Sequence, residues 1–353
     1  MEDLNLENKL SIYNYTVKEL ENILINDGMK RYQASQIYDW IYRKGVKDFS
    51  LMTNIGKKNE TYFKNKFQIN ALKIKKKQES SDETRKYLFE LEDGNYIETV
   101  LMKQDYGYSV CVSSQVGCNM GCAFCASGLH KKVRNLETYE LVLQVSTINE
   151  ELRKVNERVS HVVIMGIGEP FDNYDNVLRF IEIINYPLGL EIGARHITLS
   201  TSGIVPKILE FASFDIHVNL AVSLHFPNDE LRSKYMKVNR AYNLTELMNA
   251  LNTYYSITKR RLTFEYILID GVNDQVCHAY ELIDLIRGMN AYVNLIPMNE
   301  TTGLLKRSSE KNINRFFDIL QKNNIQCTIR REQGHDIDAA CGQLRIKTMQ
   351  NKE

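Results

Sequence analysis

Three cysteines fall within eight residues, in the run Cys118-Asn-Met-Gly-Cys122-Ala-Phe-Cys125. Thiolates spaced four and three residues apart can wrap one face of a metal centre. Iron–sulfur clusters are usually held by four cysteines. Three leave one iron without a protein ligand, and an open coordination position marks a catalytic rather than a structural metal. The competing reading is a zinc site of three cysteines and one histidine, with His130 as the fourth ligand; zinc sites more often pair cysteines as CxxC. Gly166-Ile-Gly168-Glu169-Pro170 has the look of a dinucleotide loop, but Phe171 stands where the third glycine belongs. Far downstream lies Gly334-His-Asp-Ile-Asp-Ala-Ala-Cys341-Gly-Gln-Leu344, whose cysteine, taken alone, reads as an inert thiol.

These groups need elements to position them. From about residue 108 apolar runs of strand length alternate with helical patterns. Strands are predicted at 108–113, 159–165, 196–200, 218–224, 262–269, 293–296 and 326–329. A helix over 136–152 sets Leu141, Val142, Val145 and Ile148 on one face. Repeated βα units imply a parallel sheet with helices outside, open or closed into a barrel. Ligands in such folds sit at the carboxyl ends of the strands. The cysteine run follows the first strand, Gly168-Glu169 the second, Ser200-Thr201-Ser202-Gly203 the third, Ser223-Leu224-His225 the fourth and Asn299 the sixth.

Residues 1–103 read as a small α+β unit. Thr16 and Glu19 form a capping-box pattern ahead of Val17, Leu20, Ile23 and Leu24. A second helix over 33–43 stops near Gly45. An alternating run at 86–91, an Asp93-Gly94 turn and a run at 96–101 predict a hairpin. Between 57 and 77 stand eight lysines and one glutamate, interleaved with Tyr62, Phe63 and Phe67. The pattern suits phosphate contacts with rings for stacking, or a solvated charged face.

Composition excludes other classes. The 353 residues are 43% hydrophobic, 25% charged and 10% aromatic, which argues against disordered, collagen-like and low-complexity chains. Lys plus Arg number 45 against 44 Asp plus Glu, so the net charge of +1 carries no global signature of nucleic-acid or membrane binding, although a local patch could. The opening Met-Glu-Asp-Leu-Asn has no basic region followed by an apolar run, and no apolar stretch reaches ~18 residues. Neither a secretory leader nor a membrane span is expected. A reducing, cytoplasmic setting follows, in which the seven cysteines serve chemistry more than disulfides.

The cysteine spacing, at the end of a first strand in a βα array, resembles that of the radical S-adenosylmethionine (radical SAM) superfamily. Over nearly its whole length the chain is similar to the RlmN/Cfr family of RNA adenine methyltransferases. The matching segments are Gln36-Ile-Tyr-Asp-Trp-Ile-Tyr-Arg-Lys-Gly45, Ile97-Glu98-Thr99-Val100, Ser113-Ser-Gln-Val-Gly-Cys118, Met165-Gly-Ile-Gly-Glu-Pro170, Ser200-Thr-Ser-Gly203, Ser223-Leu-His225, Asn294-Leu-Ile-Pro-Met-Asn299 and the Cys341 segment. The resemblance implies an α/β fold in three parts. These are an N-terminal α+β accessory domain that contacts RNA (1–103), a radical SAM partial (βα)6-type barrel (104–332) and a C-terminal segment with the methyl-accepting cysteine (333–353). It also implies one [4Fe-4S] cluster per chain on Cys118, Cys122 and Cys125. SAM would be held at Gly168, Glu169, Ser200, Ser223, Leu224, His225 and Asn299, with the Glu169 carboxylate on its ammonium.

Carbon 2 of adenine is electron-poor, so ordinary methyl transfer, which needs a nucleophile, cannot work there. By resemblance, two SAM molecules serve each turnover. Cys341 is methylated first, by displacement. A 5′-deoxyadenosyl radical from the second SAM takes hydrogen from that S-methyl group, and the methylene radical adds to the ring. Glu98 matches the acceptor of the ring proton. Cys111 matches the cysteine that resolves the adduct by attacking Cys341, giving a transient disulfide; on its own it reads as a core residue of a strand. Cys277 and Cys327 are left as bystanders.

The wording of Arg330-Arg-Glu-Gln-Gly-His-Asp336 and Gly193-Ala-Arg-His196 is nearer the RlmN branch, which implies action on carbon 2 of adenosine 2503 in 23S rRNA and on adenosine 37 of tRNAs. The alternatives are Cfr-like methylation of carbon 8 of the same rRNA adenosine and, from another class, a non-catalytic RNA-binding metalloprotein. Partners implied are 23S rRNA, tRNA and a flavodoxin- or ferredoxin-type electron donor; no membrane is involved, and a monomer is expected. Three departures stand out. His130-Lys131 replaces glycines usual in the family, Lys132 often a leucine, and Lys237 the usual proline.

Overall fold

The computed structural model describes residues 9–129, 131–299, 305–338 and 344–345; Cys341 and His130 lie outside them. Ten strands form one sheet: β1 (Lys73–Glu79), β2 (Arg85–Glu90), β3 (Tyr96–Gln104), β4 (Gly107–Cys111), β5 (Val159–Ile164), β6 (Ile197–Thr201), β7 (Asn219–Ser223), β8 (Leu262–Leu268), β9 (Ala291–Pro297) and β10 (Gln326–Ile329). They lie side by side in chain order. The first four pair antiparallel through hairpins, and β4 to β10 run parallel. Among the described residues the edge strands β1 and β10 do not pair with each other, so the barrel is partial.

Helices α1 (Val17–Asn26), α2 (Tyr32–Tyr38) and α3 (Lys57–Lys66) precede the sheet. The six parallel crossovers carry α4 (Thr138–Arg153), α5 (Tyr174–Asn185), α6 (Val205–Phe211), α7 (Asp229–Tyr235) with α8 (Leu244–Thr258), α9 (Val276–Leu285) and α10 (Glu310–Lys322). All seven predicted strands of the βα array are present. They were legible because a parallel strand is covered on both faces and reads as a continuous apolar run; Val162, Ile164, Leu199, Leu220 and Val222 are fully or almost fully buried. The Thr16 capping box is reciprocal: Glu19 N–H donates to Thr16 Oγ1 at 3.2 Å, and Thr16 N–H to Glu19 Oε2 at 2.8 Å. The second helix ends as a wider π turn over Asp39–Arg43.

Strands β1 to β3, grouped with the N-terminal unit on sequence, are hydrogen-bonded into the same sheet as the barrel. Ile12, Leu20, Leu24 and Tyr38 share one continuous apolar core with Val110, Leu199 and Phe264. Transferring that apolar surface out of water is the main force seating α1 and α2 on the barrel.

The carboxyl ends of β4 and β5 approach closely. Gly166 N–H donates to Val112 O at 2.9 Å. A Cβ on Gly166 would stand 2.6 Å from Val112 O and 2.8 Å from Ser113 N, both backbone atoms that cannot step aside. Gly166→Ala is expected to cost about 1–3 kcal/mol, read as a lower urea midpoint at unchanged slope; an unchanged midpoint would contradict the close approach.

Candidate active site

The cysteine run occupies the loop between β4 and α4. A two-residue antiparallel ladder, Gln115–Val116 with Arg134–Asn135, closes its base. Within it Cys125 N–H donates to Cys122 O at 3.2 Å and Ala123 N–H to Tyr235 O at 2.9 Å. The thiols of Cys118, Cys122 and Cys125 are partly buried and act on one another electrostatically. Burial pushes Cys118 up to about 12 and Cys122 higher still. Among the described residues no three His, Cys, Asp or Glu side chains converge as a ligand set for a single ion. The fit to an iron–sulfur cluster therefore rests on the donor set, three neighbouring thiols on one loop with an acidic side chain facing them.

That side chain is Glu169. It is 3% exposed, and both its oxygens take backbone N–H donors: Phe171 at 3.0 Å and Ser202 at 2.7 Å. Burial pushes its carboxyl up, and those bonds pull the other way. Among the described residues no cationic side chain pairs with it, so a buried carboxylate is left for a cation to meet. Gly168 beside it has φ +115, and a Cβ there would strike Ser114 Oγ at 2.6 Å. Gln115 joins the loops: its Oε1 accepts from Glu169 N–H at 2.9 Å, and its amide donates to Asn135 and Asp172.

The other expected SAM positions sit at neighbouring strand ends. Ser200 Oγ and Ser223 Oγ are 3.4 Å apart across β6 and β7. Leu224 is buried. His225 sits at φ +59 with its imidazole edge-on to Phe124 of the cysteine loop, centroids 4.9 Å apart. Burial, with help from Arg232, lowers it to about 3, so the ring is neutral and its Nδ1 accepts from Ile267 N–H at 3.2 Å. Fully buried Arg232 ties these ends together, donating to Ser202 O at 2.6 Å, Leu224 O at 3.2 Å and Asn239 Oδ1 at 2.8 Å.

A separate cavity of about 210 Å³ opens at the mouth of the barrel. Its lining includes Glu98, Cys111, Met165, Asn299 and Arg330. It thus brings together two residues far apart in the expected list, Glu98 and Cys111, with Asn299 beside them. Burial raises the Cys111 thiol, and the Arg330 charge works against that rise. Glu98 is 4% exposed and forms an ion pair of 2.9 Å with Lys86, which is fully buried. Its backbone is fixed from behind: Ser113 Oγ donates to Glu98 O at 2.6 Å, and Gln144 bonds both Ser113 N–H and Thr99 Oγ1.

The C-terminal segment docks on β1 to β3. Asp336 takes Ser81 N–H at 3.0 Å as well as the Ser80 hydroxyl. Gly334 N–H donates to Asp82 Oδ2 at 2.8 Å, and Gln78 and Asp338 exchange bonds of 3.1 and 3.2 Å. Leu344 packs on Leu88 and Tyr96. Cys341 falls outside the described residues, between these two attachments.

Of the two readings of the lysine run, base stacking is the one that the rings do not support. Phe63 and Phe67 are buried in the core, and the Tyr62 hydroxyl bonds Asp27. Phe63 turns inward from α3 and Phe67 from the short strand Phe67–Gln68 that follows it, so neither ring is free to stack on bases. Lys64, Lys66, Lys73, Lys75 and Lys77 form ion pairs within the chain. Of the unusual residues, Lys132 pairs with Asp172 at 2.7 Å, and Lys237 lies across Gly121 of the cysteine loop. Sequence reasoning missed Lys86, Gln115, Gln144 and Arg232. Lys86 and Arg232 look like solvent-facing charges, and nothing local marks the two glutamines.

Comparison with known proteins follows the same lines. The family model described as "Radical SAM superfamily" matches residues 112–283, and "Ribosomal RNA large subunit methyltransferase N-terminal domain" matches 10–69. The chain is 56% identical over 337 residues to a probable dual-specificity RNA methyltransferase RlmN of Spiroplasma citri, covering 96% of this chain and 97% of the relative. It is 52% identical over 351 residues to the Enterococcus faecalis protein of that description, covering 98% of each. A crystal structure of a radical SAM methyltransferase from Sphaerobacter thermophilus superposes with a TM-score of 0.89 at 44% identity, over 95% of this chain and 98% of that one.

The docking of the C-terminal segment should depend on acid. Burial works to raise Asp82, but N–H bonds from Gly334 and Thr84 outweigh it and hold the carboxyl near 2. Bonds from Ser80 and Ser81 hold Asp336 near 2 as well. Both folded values lie below the ordinary 3.8, so this stabilisation is present above about pH 4 and is lost as pH falls toward 2. The protection of residues 333–338 in the metal-free protein, taken relative to the unstructured-chain exchange rate at each pH, is expected to fall over that window. Asp82→Asn should already show the low protection at pH 5; equal protection in the two proteins at that pH would contradict the linkage.

Proposed function

The chain belongs to the RlmN family of radical SAM RNA methyltransferases, and on that premise we propose that it methylates carbon 2 of adenosine 2503 in 23S rRNA and of adenosine 37 in tRNAs. It is an enzyme rather than a passive RNA-binding metalloprotein. The observation that carries the finer reading is the cavity shared by Glu98, Cys111 and Asn299, with one flank of the Cys341 segment bonded to Glu98 through the Arg345 N–H and the other to Lys86 through the Asp338 carbonyl. The dual-specificity names of the relatives support tRNA as a second substrate.

Cys118, Cys122 and Cys125 would hold the single [4Fe-4S] cluster, which when bound supplies the electron that splits SAM into methionine and a 5′-deoxyadenosyl radical. Glu169 meets the SAM ammonium, since both carboxylate oxygens are fixed by backbone donors and a cation removes the cost of burying the charge. Ser200 and Ser223, at adjacent strand ends, and Leu224, His225 and Asn299 orient the rest of the molecule. Arg232 keeps those ends in register.

Cys341 carries the methyl group to the base. Once the methylene bridge has formed, the adduct gives up its odd electron to the one-electron acceptor that SAM cleavage leaves behind, and Glu98 takes the proton from ring carbon 2. The Cys111 thiolate then attacks the Cys341 sulfur. The sulfur–methylene bond breaks with its electron pair left on the methylene carbon, which takes up a proton to become the methyl group; a Cys111–Cys341 disulfide forms and the methylated base is released. Both thiols must be regenerated by an external reductant, which fits a reducing cytoplasm. The electron donor is a flavodoxin- or ferredoxin-type protein, and the enzyme acts as a monomer. Among the described residues no helix is long and apolar enough to cross a membrane.

Mass spectrometry of adenosine recovered from a treated 23S rRNA fragment tests the regiochemistry. The methyl is expected on carbon 2; 8-methyladenosine would transfer the chain to the Cfr-like branch. Cys341→Ala is expected to abolish methylation by at least about a thousandfold while SAM binding and reductive cleavage persist. Methylation at the wild-type rate in that variant would overturn the S-methyl route.

A further inference from the structure

Arg232, on α7, is a full charge with no exposed surface. Its Nη2, Nε and Nη1 groups donate to Ser202 O, Leu224 O and Asn239 Oδ1, and all three acceptors are uncharged. Among the described residues no carboxylate lies within ion-pairing distance of the guanidinium. Asp229, on the same helix, is engaged elsewhere: its Oδ1 accepts from the Asn239 amide at 2.8 Å and from the Leu244 N–H at 2.9 Å. Glu169 lies across the Ser202 peptide, accepting its N–H while the carbonyl faces Arg232. Carbonyl dipoles satisfy the N–H groups of a guanidinium but do not cancel its charge. A buried cation in that condition costs several kcal/mol unless an anion stands near. Burial lowers the group to about 10, so it remains charged at neutral pH.

What stands beside it is the cysteine loop. Tyr235, the last residue of α7, accepts the Ala123 N–H at 2.9 Å from the middle of that loop. Leu231, Tyr235 and Met236 share one apolar cluster with Met120, Cys122 and Phe124. On the other side, the Leu224 carbonyl that Arg232 holds precedes His225, whose ring meets Phe124. The guanidinium is therefore held against the loop from two directions, behind an apolar wall where a charge acts over a longer range than in water. Its electrostatic interaction with Cys122 exceeds that with Asp229.

We propose that Arg232 is the internal counter-charge of the cysteine loop, offsetting the negative charge of the metal-bound thiolates and raising the reduction potential of the iron–sulfur cluster. The inference rests on the assignment of Cys118, Cys122 and Cys125 as cluster ligands, and it goes beyond the part Arg232 plays in holding strand ends. Thiols that bind a metal are deprotonated, so loading the loop adds negative charge beside a cation already in place. Reduction adds one more negative charge there. Net charge around a cluster is one of the determinants of its potential, and a fixed positive charge favours the reduced form. Arg232 takes no part in the chemistry; it is a positioning residue that acts through its field at the loop.

The test uses the full-length enzyme with its cluster reconstituted anaerobically, without SAM or RNA. The midpoint potential is read by redox titration, followed through the EPR signal of the reduced cluster. Arg232→Gln is expected to make reduction about tenfold less favourable, a shift of about 59 mV to lower potential for one electron. The shift should persist at about 0.5 M salt, where the effect of a surface charge would be screened. Arg232→Lys keeps the charge and should stay near the wild-type potential. Asn239→Ala removes one bond from the guanidinium and none of its charge, and should do the same; a merely structural arginine would move the potential in both. An unchanged potential in Arg232→Gln, or an equal shift in Asn239→Ala, would overturn the proposal. Should Arg232→Gln take up no cluster, Arg232→Met is read in the same way. If neither loads, the two charge-keeping variants decide: wild-type potentials in both bear the proposal out, and a tenfold shift in either sinks it. A wild-type protein that assembles no four-iron cluster would overturn the cluster assignment and the proposal with it, an outcome distinct from a cluster whose potential ignores Arg232.

Discussion

The site depends on one constraint of chain direction. Seven strands run parallel in unbroken sequence order, so every crossover leaves the sheet at the same rim. Each strand end delivers a short polar stretch to that rim, and neighbouring ends meet at hydrogen-bond distance without any long-range search. Ser200 finds Ser223, Glu169 finds the N–H of Ser202, and Gly166 closes on Val112. A single reversed strand would carry its stretch to the opposite rim. The barrel helices serve the same end by covering the outer face of those strands with apolar side chains, which keeps the rim fixed.

Around this rim the buried charges follow three different rules. Lys86 and Glu98 satisfy each other within the protein. Glu169 is held by backbone N–H donors with no cationic side chain paired to it among the described residues, and a carboxylate in that condition is a site prepared for a positive ligand. Arg232 is a third case: its guanidinium is consumed by carbonyl oxygens at strand ends, where it replaces the water those groups would otherwise bind. The difference separates groups that hold the scaffold from groups that await a substrate, and it comes from what lies within about 3 Å of each charge.

Much of this was legible in the sequence and some was not. The βα array could be read because its strands are apolar on both faces, and the β2–β3 hairpin because Asp93-Gly94 supplies the turn, with Gly94 at φ +81. The cysteine loop, Glu169 and the serine clusters could be placed at strand ends by counting strands. Lys86 could not, since a lysine in an alternating strand reads as solvent-facing; only the later chain that covers it makes it interior. The same limit applies to Phe63 and Phe67. Between lysines they resemble an exposed stacking surface, whereas α3 turns Phe63, and the short strand after it Phe67, into the core. The pairing of Glu98 with Cys111 across one cavity followed from family resemblance alone, because nothing local in either strand announces it.

The C-terminal segment also bears on how the protein reaches its working form. Gln78 and Asp338 are 260 positions apart, yet they bond to each other. The strands between them pair mostly with their immediate successors, so the sheet can zip up progressively from local contacts. The C-terminal segment cannot: it must wait until the hairpins and the last parallel strand are both in place, and it then closes a loop of 260 positions. Assembly thus has a natural order in which the cysteine loop is built into the barrel before the C-terminal segment is secured. A partly folded chain of this kind has its cysteine loop housed and its C-terminal segment still searching for its seat.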